Sequence, residues 1–313
     1  MNKTYLKYGL HVAILGGLIV AGFKYLSGEE ILAALGSFDY RYTPLLLALS
    51  VAYVLVKGWR FIILTQPYTD LPWGVIMRAY VAGQAATLLP GGVAARAGLL
   101  NQADVPVSKG SVPVAFSSGM DQVVLISGAL IAALWFEQGR TPIFIIIGLI
   151  VLLAGLLIVP VTRQFMASTA DWIAAKCGVE EKWHGFLKAV PEVFTWPIIG
   201  GGLALTALTV ILHLTILYFV ILGLGETMRL SALVLAYILP TVLGRLSGLP
   251  GGVGVTEASM VGFMTSTSDI GSNTAIAAVA LFRIVTILFA ALLGALVYFV
   301  GWRGEEEAAA SSS

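Results

Sequence analysis

The sequence predicts an all-α polytopic membrane protein. Hydrophobic residues make up 58% and charged residues only 11% of the 313 positions, whereas a soluble domain is about half apolar and a quarter charged. The apolar residues are gathered in runs of about 20, the length at which an α-helix crosses the hydrocarbon core of a bilayer. Lipid is therefore the solvent of most of this chain.

Six of these runs are predicted to be complete spans. The first follows Lys3 and Lys7 and ends without a small-residue cleavage site, so we interpret it as an uncleaved span rather than as a signal peptide. The six spans lie near 8–26, 44–65, 110–136, 142–162, 198–224 and 273–302.

Two further apolar stretches are each interrupted by Pro-Gly-Gly; we call 74–104 the first broken stretch and 229–267 the second. The triplet removes a backbone donor and loosens a helix, which at membrane depth is tolerated where the backbone is buried in protein or lines a wet cavity. We therefore predict that the triplets line a cavity. Their residues are Pro90, Gly91, Gly92, Pro250, Gly251 and Gly252.

The two broken stretches also resemble each other. Leu-Pro-Gly-Gly-Val occurs at 89–93 and again at 249–253, each time after an Ala-Tyr pair and before a long span. This pattern predicts a single transmembrane domain over 1–313 with an internal duplication. Repeat 1 covers about 44–136 and repeat 2 about 198–302, joined by a span and an interfacial segment at 137–197, and the acidic, low-complexity tail at 304–313 is predicted to be disordered.

The distribution of basic residues predicts the topology. If both broken stretches are re-entrant hairpins and the N-terminus is cytoplasmic, the inner face collects most of the basic residues, namely Lys3, Lys7, Lys109, Arg163, Lys176, Lys182, Lys188 and Arg303. The outer side then holds Arg41, Arg140 and Arg229, with Lys24 at the edge of the first span. If both stretches crossed instead, 163–194 would move outside, against the positive-inside rule.

We therefore predict two re-entrant hairpins that enter from opposite faces, and cytoplasmic N- and C-termini. Three crossings then separate equivalent spans, which gives the two repeats inverted topology, as in many secondary transporters. The stretch 163–194, which mixes Trp172 and Trp183 with lysines, is interpreted either as a cytoplasmic interfacial helix or as a connecting loop.

Ionisable side chains inside spans are candidates for function, because each costs about 2.5–3.5 kcal/mol on insertion scales. Lys57 and Arg60 lie close enough to the inner face for their side chains to reach it. The deeper candidates for substrate binding or gating are Arg96, Asp121, Arg245, Glu257 and Arg283.

Two interpretations of these deeper charges stay open. In the first, Asp121 and Arg283, which occupy corresponding places in the two repeats, form a salt bridge that joins the halves. In the second, Arg96, Arg245 and Arg283 line a cavity that receives an anionic head group, since the planar guanidinium donates two parallel hydrogen bonds to phosphate. The carboxylates of Asp121 and Glu257 would then hold these arginines or relay a proton.

Other chemistries have weaker support. One cysteine, Cys177, and three widely spaced histidines predict neither a disulfide nor a metal site, and no catalytic residue or cofactor is predicted. A formal charge of +1 does not indicate nucleic acid as a partner.

The chain resembles the lysylphosphatidylglycerol synthase transmembrane family. The resemblance rests on Leu-Pro-Gly-Gly-Val-Ala-Ala-Arg-Ala-Gly-Leu-Leu at 89–100, Leu-Pro-Gly-Gly-Val-Gly-Val-Thr-Glu-Ala at 249–258 and Leu-Phe-Arg-Ile-Val-Thr at 281–286. It implies translocation of a lipid with a polar, anionic or aminoacylated head group between leaflets of a bacterial or archaeal plasma membrane. It also implies head-group or gating roles for Arg96, Glu257 and Arg283.

Members commonly carry an acidic residue shortly before the arginine of the first motif, where this chain has Ala94 and Ala95. We expect a flippase module without its own synthase domain, whose partners are membrane lipids, a separate lipid-modifying enzyme and, in a homo-oligomer, further copies of itself. The alternatives are a transporter of a soluble anion or small molecule, a membrane enzyme that acts on lipid-linked substrates, and a structural subunit.

Overall fold

The computed structural model describes residues 35–88, 92–135, 160–247 and 252–302, together with residues 144 and 148. Within these residues every regular element is helical, in agreement with the predicted fold class. The α-helices are α1 (Thr43–Thr65), α2 (Trp73–Ala82), α3 (Ala95–Gln102), α4 (Val107–Trp135), α5 (Pro160–Lys176), α6 (Glu180–Ala189), α7 (Trp196–Gly223), α8 (Leu230–Leu246), α9 (Val255–Thr267), α10 (Ser272–Arg283) and α11 (Phe289–Gly301).

Four helical segments are long and apolar enough to cross a membrane: Tyr40–Tyr68, Val107–Ala132, Trp196–Gly223 and Ser272–Gly301. They correspond to the predicted spans at 44–65, 110–136, 198–224 and 273–302, which are thereby confirmed in length and composition. The predicted span at 8–26 and most of that at 142–162 lie outside the described residues, as does the predicted tail at 304–313.

Both broken stretches have an α-helix on each side of the interruption. In the first, α2 continues as a 3-10 turn at Gly83–Leu88, and a second turn at Gly92–Ala94 leads into α3. In the second, α8 and α9 lie on either side of the interruption and pack against each other. A link of a few residues and then a candidate span follow each stretch.

The described glycines of the triplets allow conformations that other residues would not. A Cβ on Gly92 would lie 1.6 Å from the carbonyl oxygen of Ala86, so a side chain there would push the two halves of the stretch apart. Gly252 has a φ of +66° and Gly254 one of +87°, in the left-handed region that favours glycine. Pro90, Gly91, Pro250 and Gly251 lie outside the described residues.

The described chain divides into two compact units. The first unit contains residues 35–44 and 217–283, and the second contains 45–216 and 284–302. The first therefore holds the second broken stretch with α10, and the second holds the first broken stretch with α1, α4, α5, α6 and α11. The predicted boundaries of the two repeats stay a prediction.

In the second unit, α11 packs closely against the first broken stretch. A Cβ on Gly294 would lie 2.5 Å from the nitrogen of Ala85 and 2.6 Å from the carbonyl oxygen of Val81. The bare glycine therefore lets two backbones meet, which is a common use of small residues between membrane helices.

Several chain segments of the second unit gather around α6. The Tyr68 hydroxyl, just beyond α1, donates to the carbonyl of Ala189 at 2.8 Å, and a Cβ on Gly185 would lie 2.9 Å from Cβ of Ser108 in the first turn of α4. At the end of α3, Gln102 accepts a hydrogen bond from the indole of Trp302 at 2.7 Å. We call this end of the second unit the α6 end.

The sequence left open whether 163–194 is a helix or a loop. The structure shows that most of these residues are helical, in α5 and α6. Several large apolar side chains on these helices are exposed, among them Phe165 and Trp172. The ammonium of Lys176 lies 4.7 Å from the ring centre of Trp172.

Candidate functional site

Arg96 lies in the interior of the first broken stretch. Its residue surface is only 8% exposed, and its guanidinium lies 4.6 Å from the ring centre of Tyr80. Nη2 donates to the side-chain oxygen of Gln84 at 3.2 Å. Gly83 provides the space, because a Cβ there would lie 2.5 Å from Cγ of Arg96.

The charge of Arg96 has no carboxylate partner among the described residues. Within the described chain its guanidinium contacts Tyr80 and Gln84, and its buried Nε atom has no hydrogen-bond partner there. Burial of an ion costs several kcal/mol, whereas an aromatic face returns about 0.5–2 kcal/mol and a hydrogen bond to a charged group about 1.5–3 kcal/mol. The site is therefore short of negative charge, and an anion would supply it.

Asp121 forms a second charged group in the same unit. Its Oδ1 accepts a hydrogen bond from Nη1 of Arg60 at 2.5 Å, and its Oδ2 lies 3.5 Å from Nζ of Lys57. Arg60 Nη1 also donates to the hydroxyl of Thr206 at 2.7 Å. One carboxylate thus joins α1, α4 and α7 and is shared by two cations, which gives the cluster a formal charge of +1.

The expectation that Arg60 reaches the membrane surface is wrong. Arg60 is only 2% exposed, and its Nη1 donates to Asp121 and Thr206 inside the helix bundle. Its buried Nε has no hydrogen-bond partner within the described chain. The position of Arg60 in the sequence is near the end of a span. Its ion pair with Asp121 depends on which helices are neighbours, and the pattern of spans does not determine which helices are neighbours.

A layer of aromatic packing separates the Asp121 cluster from Arg96. The ring centres of Phe61 and Tyr80 are 5.3 Å apart, and a Cβ on Gly58 would lie 3.2 Å from the Tyr80 ring. Tyr80 therefore contacts α1 beside Lys57 and Arg60 on one side and supports Arg96 on the other.

Glu257 and Arg283 meet in the first unit. Oε1 of Glu257 lies 2.8 Å from Nη2 of Arg283, and Oε2 accepts a hydrogen bond from the N–H of Gly254 at 2.7 Å. The second contact caps α9, whose first turn has Glu257 at its third position. The glycine and the glutamate at the end of the motif Pro-Gly-Gly-Val-Gly-Val-Thr-Glu thus have a structural role, because they form the N-terminal cap of α9.

The ion pair leaves part of Arg283 unsatisfied. Nη2 is close to the carboxylate but is not aligned as a hydrogen-bond donor, and Nε is also buried without a partner within the described chain. A π-helical turn, Ile284–Leu288, begins at the next residue. The hydroxyl of Ser50 donates to the carbonyl of Val285 in that turn at 2.7 Å. Such turns are frequent at functional sites.

Arg245 was predicted to line a cavity. Arg245 is exposed in the last turn of α8, where a cation is favourable next to the negative end of the helix dipole. As for the proposed Asp121–Arg283 bridge, the structure gives each residue an oppositely charged partner in its own unit: Arg60 and Lys57 for Asp121, and Glu257 for Arg283.

Sequence reasoning missed Gln84 and Tyr80. Both hold Arg96, and Gln84 Oε1 also accepts from the Thr87 hydroxyl at 3.2 Å. A polar amide in an otherwise apolar stretch was the signal for Gln84. Tyr80 was recognised only as part of the Ala-Tyr pair that precedes both triplets, and that pattern does not show that its ring contacts Arg96.

The described residues contain no group of three potential metal ligands. A surface depression of about 420 Å³ is lined by residues Gln66, Thr69, Asp70, Leu71, Pro72 and Trp73. None of the charged candidates contributes to it, so the site is defined by the buried arginines rather than by this depression.

Comparison with known proteins gives one result that bears on function. The model of the family described as lysylphosphatidylglycerol synthase TM region matches residues 9–294. No curated protein matches the chain. The match covers both broken stretches and all the charged candidates.

Proposed function

Because the chain belongs to the lysylphosphatidylglycerol synthase transmembrane family, we propose that it transports a lipid with an anionic head group between the leaflets of a membrane. The observation that carries this proposal is Arg96, a buried cation without a carboxylate partner among the described residues. Arginine suits a phosphate group because its planar fork donates parallel hydrogen bonds.

The first broken stretch supports a re-entrant path for the backbone. It starts just after Tyr68 and ends at Gln102, and contacts at the α6 end surround both places. These contacts support a path in which the stretch returns to the side on which it began. The helix α3 is too short to cross the membrane. Its 8 residues span about 12 Å, whereas the hydrocarbon core is about 30 Å thick.

A re-entrant path of the second broken stretch is supported by the number of membrane crossings along the chain. The span Trp196–Gly223 leaves the α6 end, and the last span, Ser272–Gly301, finishes at Trp302, which bonds Gln102 at that same end. We infer from this order that the last span starts on the far side and that 224–271 is re-entrant. With 13 residues, α9 spans about 20 Å and is also too short to cross.

We propose on this basis that both broken stretches are re-entrant, as are the broken helices of many inverted-repeat transporters. The basic residues at the α6 end, Lys109, Lys176, Lys182 and Lys188, favour a cytoplasmic position for it. The exposed aromatic residues of α5 and α6 would then lie in the inner head-group layer of a plasma membrane.

In this mechanism the phosphate crosses beside Arg96, while the acyl chains stay in lipid. An isolated phosphate cannot enter hydrocarbon, because the loss of hydration costs tens of kcal/mol in a low-dielectric medium. A fixed buried cation lowers that barrier where it is highest. Glu257 and Arg283 act as the gate of the other hairpin, because their ion pair joins the start of α9 to the end of α10.

The experiment is reconstitution of the purified protein into liposomes that contain a trace of fluorescent phospholipid, followed by dithionite quenching. Empty liposomes lose about half of the signal because dithionite reaches only the outer leaflet. Loss of the remaining signal in protein-containing liposomes is expected for a lipid transporter. An unchanged plateau with every head group would contradict the proposal.

A further inference from the structure

Among the residues that the structure describes, the interior of the second unit has more positive than negative charge. Among the described residues it contains Arg96, Arg60 and Lys57, and Asp121 is the carboxylate that contacts two of them. Because Asp121 is occupied by Arg60 and Lys57, it cannot also neutralise Arg96. The positive charge of Arg96 is therefore not neutralised by Asp121 at the place where the cargo would pass.

Gln84 occupies the place next to Arg96 where a carboxylate would be expected. Its side-chain oxygen accepts from Nη2 of Arg96 and from the hydroxyl of Thr87, both at 3.2 Å. These bonds orient the guanidinium, but an amide carries no charge and leaves the cation uncompensated. Glutamate has the same shape as glutamine and would neutralise the charge of Arg96.

We propose that the Arg96–Gln84 pair selects a phosphate-ester head group that carries no amino group, and that Gln84 determines this specificity. The inference rests on the proposed function, since it concerns the head group at the same site. The head group of phosphatidylglycerol or phosphatidic acid has this chemistry. An aminoacylated or zwitterionic head group does not.

Electrostatics accounts for the discrimination. A phosphate diester brings one negative charge to a cation that lacks one. An aminoacylated head group brings one or more ammonium groups as well. These ammonium groups would meet the cation of Arg96, which has no carboxylate partner among the described residues. Like charges in a desolvated site reject the wrong ligand.

The test is binding by the purified full chain in nanodiscs of zwitterionic lipid. Spin-labelled phosphatidylglycerol, phosphatidic acid, phosphatidylcholine and lysylphosphatidylglycerol are the probes. We expect phosphatidylglycerol and phosphatidic acid to bind about tenfold more tightly than lysylphosphatidylglycerol, the effect of about one charge-assisted hydrogen bond. Equal binding of these lipids by the wild-type protein would overturn the inference.

Gln84→Glu is the decisive variant, because it changes charge and not shape. It is expected to abolish the preference for phosphatidylglycerol and to leave or raise the melting temperature, since it pairs a buried cation. Thr87→Val is the matched control, because it removes the other hydrogen bond of Gln84 without a change of charge. A preference unchanged in Gln84→Glu would show that Gln84 is not the determinant.

Two further arms separate this inference from the proposed function. Selective binding of anionic lipid without any translocation supports the head-group site and contradicts a transporter. Competition by glycerol 3-phosphate at the same concentration as the lipid supports the phosphate site and overturns its assignment to lipid. Translocation of every lipid at one rate supports the transporter and overturns the selectivity.

Discussion

The carboxylate of Glu257 makes two contacts at once: Oε1 lies 2.8 Å from Nη2 of Arg283, while Oε2 accepts from the N–H of Gly254, which precedes α9. A single side chain therefore caps one helix and holds the end of another. Any movement that breaks the ion pair also disturbs the start of α9, which is why we assign a gating role to this pair.

The coupling between these residues is measurable. Glu257→Gln is expected to lower the free energy of unfolding by about 1–3 kcal/mol, the cost of leaving a charged group unsatisfied. A double-mutant cycle with Arg283→Gln, followed by unfolding in mixed micelles, should give a coupling energy of about 0.5–3 kcal/mol. Additive effects would show that the contact contributes nothing.

The Asp121 cluster predicts that two substitutions, Asp121→Asn and Lys57→Met, lower the stability of the protein by different amounts. Asp121→Asn leaves Arg60 buried without a counter-charge and is expected to cost about 3–5 kcal/mol. Lys57→Met leaves the Asp121–Arg60 pair intact and should cost less than about 1 kcal/mol. Denaturation of the two variants in the same detergent checks the order, and equal losses would contradict a shared carboxylate.

Gly294 tests the close approach of α11 to the first broken stretch. Gly294→Ala is expected to destabilise the protein by about 1–3 kcal/mol, because the added Cβ overlaps the backbone at Val81 and Ala85. Gly201→Ala is the control, since a Cβ at Gly201 meets no atom within 4 Å and alanine favours helix. Melting temperatures that fall equally in both variants would argue against backbone contact.

Much of the architecture could be predicted from the sequence. Apolar run length located the four described candidate spans, because crossing hydrocarbon imposes one length on all of them. The Pro-Gly-Gly triplets located both interruptions, since proline and glycine break helices wherever they occur. Arg96 was recognisable because a cation in an apolar stretch needs an explanation.

Side-chain pairing could not be predicted in the same way. Asp121 and Arg283 occupy corresponding places in the sequence, but correspondence between repeats does not imply contact. Arg60 was expected at the surface because nothing in α1 alone shows that Asp121 of α4 and Thr206 of α7 face it. Glu257 had a local signal, since glutamate at the third position of a helix after glycine is a capping pattern.

Cys177 reports the orientation of the α6 end. Cys177 is free and exposed, and it follows directly after α5. If this end is cytoplasmic, an impermeant maleimide should label Cys177 only after the cells are permeabilised. Arg41→Cys in a Cys177→Ser background is the matched control, because Arg41 is exposed at the start of the first described span and should react in intact cells.

Labelling of Cys177 from outside intact cells would reverse the orientation. The proposal that both broken stretches are re-entrant would be unaffected, because it depends on crossings and not on the basic residues. The proposed position of α5 and α6 in the inner head-group layer would then be wrong.

The most direct test of the central claim is the translocation rate of fluorescent phosphatidylglycerol in proteoliposomes made with Arg96→Gln. The rate is expected to fall about tenfold or more, while the melting temperature is unchanged or higher, because the variant removes an uncompensated buried charge. Arg78→Gln, which removes an exposed charge from the same broken stretch, should translocate at the wild-type rate. Wild-type translocation by Arg96→Gln would contradict an anion site at this arginine, and so would a loss of folded protein that accounts for the lower rate.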